Sequence, residues 1–244
     1  MTLPALRQMK ADGRKIVGVV VYDYQMAQIA DRAGVDIVSA GDSVGVNMWG
    51  HANESDVTLD QMALVCEAVR RGVTRALVSC DIPLGPLTEG ADAAVRAARR
   101  LAKEAGADIV KVDAGSSSAD TVRAIANAGI PVWAQFSGDA ANPDVDRAVR
   151  EAKRLESDGA SLLDFRYSGP VAGPEVVRAV SIPVIGGLGG GPWLDGRVRA
   201  LVAAIGYLAA AVGDTTDRYA NVGEIALTAV KALSDDVRAG RQIR

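Results

Sequence analysis

The chain has 244 residues, 49% of them hydrophobic and only 4% aromatic, and carries a formal net charge of −3. A slightly acidic chain this poor in aromatic rings excludes a phosphate-backbone partner and offers no stacking platform for single strands, so no nucleic acid is expected as a ligand. No run of 18 apolar residues occurs and residues 1–15 lack the apolar centre of a signal peptide, which reads as no membrane partner and a cytoplasmic location.

In chain order, residues 16–22 predict a strand and residues 24–33 a helix. The runs DIVSAGDS (36–43), RALVSCD (75–81) and DIVKVD (108–113) are three further strands, each ending in a charged or hydroxyl residue. Between the last two lies a helix with small or apolar residues Ala91, Ala94, Val95, Ala98, Leu101, Ala102 and Ala105 at three- and four-residue spacing. Residues 131–136 predict a strand followed by a helix near 143–158, and residues 161–165 a strand followed by a short helix near 174–180. Residues 183–186 and 197–203 supply two more strand candidates, the last patterned weakly enough to be read as helix. A terminal helix over 219–239 has an apolar stripe through Val222, Ile225, Ala226, Ala229 and Leu233. That stripe fits a homo-oligomer contact or packing on the chain's own barrel.

The strand–helix unit repeats about every 30 residues, and its strands are continuously apolar, as strands covered on both faces are. With a length near the roughly 250 residues of an eightfold barrel, this predicts an α/β fold. The expectation is one (β/α)8 TIM-barrel domain over 1–244 with a C-terminal helix; an open doubly wound sheet shares the same local pattern.

Barrel strands open their C-terminal ends onto one face, so Asp42, Asp81 and Asp113 are candidates for a shared site. Their hard oxygens suit magnesium, which takes one or two protein carboxylates and fills its octahedron with water and substrate oxygens. The competing reading has each aspartate capping the following helix. Lys111 precedes Asp113 by two residues and faces the same side, where a lysine needs an anionic partner, either a neighbouring carboxylate or a bound acid. Gly186 and Gly187 open the run GGLGGG after the seventh strand, where backbone N–H groups commonly hold phosphate or carboxylate. Cys66 reads as core, and strand alternation turns Cys80 away from the lumen when Asp81 faces in. With a single histidine there is no structural zinc site; His51 reads as a solvated loop residue or part of a lid.

The segments YDYQMAQIADRAGVDIVSAGDSVG (22–45), DVTLDQM (56–62), RALVSCDIP (75–83), EAGADIVKVDAG (104–115), SIPVIGGLGGGPWLDGRV (181–198) and RYANVGEIALTAVKALSDDVRAG (218–240) resemble the ketopantoate hydroxymethyltransferase family. This family lies in the phosphoenolpyruvate mutase and isocitrate lyase superfamily. The resemblance implies a barrel whose magnesium is held by Asp42 and Asp81, with Ser43 and Lys111 contacting a small 2-oxo acid. Asp113 would lie near the metal water, where the family carries glutamate. It implies enolate formation next to the keto group, followed by attack on a one-carbon unit from methylenetetrahydrofolate.

Three departures accompany the matches. Gln135 stands where the family has histidine, and Arg166 where it has the glutamate that removes the proton; arginine is always protonated and cannot act as that base. Asp164 lies on the same face two residues earlier, deeper in the barrel. The glycine-rich covering segment is shortened to residues 137–143. The catalytic candidates are therefore Lys111, Gln135 and Arg166. The added positive charge favours a substrate with a second anionic group. Hydroxymethyl transfer or a related aldol or retro-aldol reaction is expected, with another carbon–carbon or carbon–phosphorus lyase or hydrolase, or a non-catalytic 2-oxo-acid binder, as alternatives.

Overall fold

In the computed structural model, which describes residues 1–242, the chain forms two compact units, residues 1–199 and residues from 200 onwards. Through the first unit run α1 (Leu3–Ala11), β1 (Ile16–Val21), α2 (Tyr24–Ala33), β2 (Ile37–Ala40), α3 (Val44–Trp49) and α4 (Leu59–Gly72). Next come β3 (Leu77–Asp81), α5 (Leu84–Thr88), α6 (Ala91–Lys103), β4 (Ile109–Asp113), α7 (Thr121–Asn127) and β5 (Val132–Ser137). They are followed by α8 (Val145–Ser157), β6 (Ala160–Arg166), α9 (Gly169–Ala179), β7 (Val184–Gly186) and β8 (Gly196–Ala200). The second unit carries α10 (Leu201–Ala204) and α11 (Val222–Arg238).

Among the described residues, eight strands close into a barrel in the order β1 to β8, and every recorded pairing is parallel. Burial on both sides explains why the strand runs are continuously apolar. One alternation faces the lumen: Ile16, Ile37, Leu77, Ile109, Trp133, Leu162, Ile185 and Val198 form a single buried cluster, sealed from below by Leu6 and Met9 of α1. Lys10 fixes that seal with an ion pair to Asp195 at 3.0 Å and hydrogen bonds to the carbonyls of Val177 and Ile182. The other alternation meets the helices. On α6, Ala93, Ala94, Ala97, Ala98 and Leu101 are buried, and small side chains allow a helix to lie close on the sheet.

Local chemistry sets the helix ends. Asp23 accepts from the Met26 N–H at the start of α2, which stops at Gly34 in the left-handed conformation. At α4, Thr58 and Gln61 make a reciprocal capping box. Asp31, on α2 and 5% exposed, accepts hydrogen bonds from the N–H groups of Thr74, Arg75 and Ala76 and from the Thr74 hydroxyl, pinning the entry to β3. Burial opposes its charge, but these bonds outweigh it and hold its pKa down to about 2. A lowered folded pKa stabilises above the unfolded value, and that contribution is lost as pH falls through the folded one. Asp31→Ala is therefore expected to cost about 2–3 kcal/mol at pH 7 and distinctly less at pH 3, measured by urea unfolding at both.

The helices α1, α3 and α5 are not among the expected elements, and the remaining differences lie at element ends and in weakly patterned segments. Helix α9 begins at Gly169, ahead of the expected 174, because Pro170 takes the first-turn position that suits proline and Pro174 lies within the helix. The ambiguous run 197–203 divides into β8 and α10. The terminal helix starts at Val222 behind an Asn221 cap, and it leaves Ile225 and Leu233 of the expected stripe exposed, together with Val230 and Val237.

Candidate active site

The C-terminal mouth of the barrel gathers the charged side chains. Register sets Asp81 beside Lys111, Asp113 beside Gln135, and Gln135 beside Asp164. All stand on the lumen-facing alternation, because they lie two or four residues beyond the lumen cluster positions Leu77, Ile109, Trp133 and Leu162.

Asp42 sits in the turn leaving β2. A Cβ on the preceding Gly41 would come within 2.5 Å of Val20 Cγ1, so only glycine lets this turn fold down towards Asp81 Oδ2. The Asp42 N–H is hydrogen-bonded to the Asp81 carboxylate, yet Asp81 Oδ1 is buried with no partner. Burial, then repulsion from Asp81 and Glu54, pushes Asp42 up to about 7 against the pull of Lys111. Asp81 is also raised, by burial and by Asp164, again against Lys111. Two hard carboxylates that are short of positive charge, one with an orphaned oxygen, fit a divalent cation of the magnesium type.

Lys111 reaches past β5 on the lumen face to Asp164, with Nζ 3.0 Å from Oδ2, and lies over the Trp133 ring at 5.1 Å. Burial alone would lower the ammonium pKa, but Asp81, Asp164 and Asp42 together hold it above the ordinary lysine value. The partner Lys111 requires is thus a neighbouring carboxylate. Asp164 accepts a second bond from the Gly187 N–H at 3.1 Å, which ties the glycine-rich loop to the same pair. Gly186 is confined by Leu194 and the Phe165 carbonyl, and its own carbonyl accepts from Arg197 Nε.

Ser43 is fixed from a third direction. Its Oγ lies 2.9 Å from the Tyr22 hydroxyl, which accepts from Asn47 Nδ2 at 2.8 Å, and burial raises the Tyr22 pKa. Gln135 is buried on the lumen face. Arg166 ends β6 half-buried, its guanidinium 5.9 Å from the Tyr167 ring centre, and it has no carboxylate partner among the described residues.

Asp113 has hydrogen-bond partners within its own loop. Its two carboxylate oxygens accept from the Gly115 N–H and the Ser116 hydroxyl, both at 3.0 Å, so it closes the loop after β4. Among the described residues no three aspartate, glutamate, histidine or cysteine side chains gather as a metal site. Asp42 shows the opposite outcome: α3 receives no side-chain cap from its N-cap residue Ser43, and the Asp42 carboxylate is free of that task. His51 is partly buried rather than fully solvated. It packs back on α3, its Nδ1 buried against Gly45 and its ring 5.7 Å from Trp49. Cys80 turns outward to the Met62 carbonyl of α4, and Cys66 is buried.

Tyr22, Asn47 and the lumen-facing pair Ser39 and Ser79, whose hydroxyls are buried without partners, were not singled out by the sequence reading. Tyr22 follows β1 directly, and the strand-end rule that found the aspartates would have found it. Asn47 has no such signal, because it reaches the site from α3.

The ketopantoate hydroxymethyltransferase family model matches residues 1–242. A 3-methyl-2-oxobutanoate hydroxymethyltransferase of Cyanothece sp. is 35% identical over 253 residues, covering 98% of this chain and 96% of the relative. Two solved structures share the fold. One is 2,3-dimethylmalate lyase, a PEP mutase/isocitrate lyase superfamily member, with TM-score 0.67, 17% identity, and coverage of 98% of this chain and 89% of that one. The other is phosphonopyruvate hydrolase in complex with oxalate and Mg2+, with TM-score 0.63, 15% identity, and coverage of 99% and 89%.

Proposed function

Because the chain belongs to the ketopantoate hydroxymethyltransferase family, we propose that it performs magnesium-dependent enolate chemistry on a 2-oxo acid, making or breaking a carbon–carbon bond beside the keto group. The observation that carries this reading is the pair Asp42 and Asp81, two part-buried carboxylates with raised pKa values, one of them with a buried, orphaned Oδ1. Bound there, magnesium would draw negative charge onto the keto and carboxylate oxygens of the substrate and so stabilise the enolate.

The remaining roles fall to the chain's own groups. Ser43, held by Tyr22, donates to a substrate oxygen, and Lys111, placed between Asp81 and Asp164, offsets part of the negative charge of the mouth on the substrate's side. The N–H groups around Gly186 and Gly187 edge the site, although that of Gly187 is already directed at Asp164. Gln135 supplies a neutral amide, and Arg166 a fixed positive charge in place of a proton acceptor. Where the reaction runs as a transfer, methylenetetrahydrofolate is the one-carbon donor, and the enzyme works as a homo-oligomer in the cytoplasm.

A second reading, a lyase or hydrolase acting on a carbon–carbon or carbon–phosphorus bond, draws on the loss of the family's base at position 166. Proton exchange in deuterium oxide tests the shared core of both. With magnesium present, the signal next to the carbonyl of 3-methyl-2-oxobutanoate or oxaloacetate is expected to disappear faster than in enzyme-free solution. The acid that exchanges chooses between transferase and lyase. No exchange with either acid, alongside magnesium-dependent binding, would turn the reading towards a binding protein.

A further inference from the structure

We infer that Arg166 forms a second anion subsite, so that the substrate is a 2-oxo acid carrying a distal carboxylate or phosphonate. The inference rests on the reading above and specifies its substrate class.

Two cations on the lumen face, Lys111 and Arg166, are in opposite states. Lys111 is satisfied: Asp164 lies 3.0 Å from its ammonium, and the charge of Asp81 is close by. Arg166 stands two residues further along β6, about 7 Å nearer the opening, and meets no carboxylate among the described residues. Arg166 is partly buried as a residue, and the five donors of its guanidinium form a planar fork suited to carboxylate or phosphonate oxygens.

The turn after β6 sets what lies beside the fork. Tyr167 takes a left-handed backbone, with φ of 52°, rare for a residue of its size, and its N–H donates to the Leu188 carbonyl at 2.7 Å. The turn thus closes β6 onto the glycine-rich loop and sets the Tyr167 ring beside the guanidinium. Backbone strain of this kind persists where surrounding contacts over-determine it, and it concentrates at ligand clamps. Gln135, buried on the neighbouring strand, adds a neutral amide on the same lumen face. A monocarboxylic 2-oxo acid, held at the Asp42 and Asp81 end, leaves Arg166 unmatched. One with a second anionic group engages both ends.

Titration calorimetry in magnesium buffer, using oxalate, 3-methyl-2-oxobutanoate, oxaloacetate and phosphonopyruvate, tests this. Oxalate presents only the metal-chelating core. Oxaloacetate or phosphonopyruvate is expected to bind about ten- to a hundredfold more tightly than 3-methyl-2-oxobutanoate, and the tighter of the two names the distal group. Arg166→Gln should collapse that ratio to near unity, while Arg166→Lys, which keeps the charge but loses the fork, should retain part of it. If oxalate binds but the wild-type protein shows no preference, or if Arg166→Gln keeps the full ratio, the subsite is overturned while the metal-site reading stands. Failure of oxalate to bind with magnesium would overturn both.

Discussion

Asp81→Ala is expected to remove magnesium binding and to lower any turnover of a 2-oxo acid by about a thousandfold or more. The same change should leave the metal-free fold as stable as the wild type or more so, because it deletes a buried carboxylate whose Oδ1 has no partner. The sign of the pH dependence follows from the raised pKa values of Asp42 and Asp81. Groups whose folded pKa exceeds the unfolded one stabilise fully below the unfolded value, and that contribution is lost as pH rises through the folded value. For Asp42 this window runs from about 4 to about 7. Metal-free protein should therefore lose stability across it, and magnesium, which requires the deprotonated carboxylates, should restore stability on the alkaline side. Thermal unfolding with and without magnesium at pH 6 and pH 8 reads this directly. The magnesium-induced rise should be larger at pH 8 and absent in Asp81→Ala; a full rise in that variant would mean that the metal's ligands lie elsewhere.

The largest loss of stability is expected from Lys111→Met. Its partner Asp164 has a side chain only 2% exposed, and removing the ammonium leaves that carboxylate and Asp81 buried without compensation. Breaking one half of such a pair costs about 3–5 kcal/mol. Replacing both halves, as Lys111→Met with Asp164→Leu, should recover the part of the loss that comes from stranding Asp164, while Asp81 stays without its cation. Urea unfolding of the two single variants and the double variant supplies the coupling term. A cost below about 1 kcal/mol for Lys111→Met alone would show that water, rather than Lys111, satisfies Asp164.

The barrel was legible because the lumen and helix faces are both apolar, so each strand appears as an unbroken run punctuated by a polar end. Alternation then gave directions: Cys80 outward, Asp81 inward, Lys111 in line with Asp113. What the pattern lacked was partnership across space. Three aspartates at strand ends look equivalent, yet Asp113 is captured by its own loop through Gly115 and Ser116, whereas Asp81 faces no donor at Oδ1. That difference is set by the turn after β4, which no residue periodicity records. The requirement for an anion beside Lys111 could be stated in advance, but its source could not, because β4 and β6 are separated by β5 and their side chains meet only over that strand. The bonds from Tyr22 and Asn47 to Ser43 are similarly non-local.

Leu6 and Met9, packed beneath the apolar lumen layer, bear on the order of events during turnover. With that end of the barrel stoppered, arrivals and departures share one doorway. A product must leave before the next molecule of the same kind can reach the floor, so product is expected to inhibit competitively. In a reaction of two partners, the one seated deeper has to enter first and leave last.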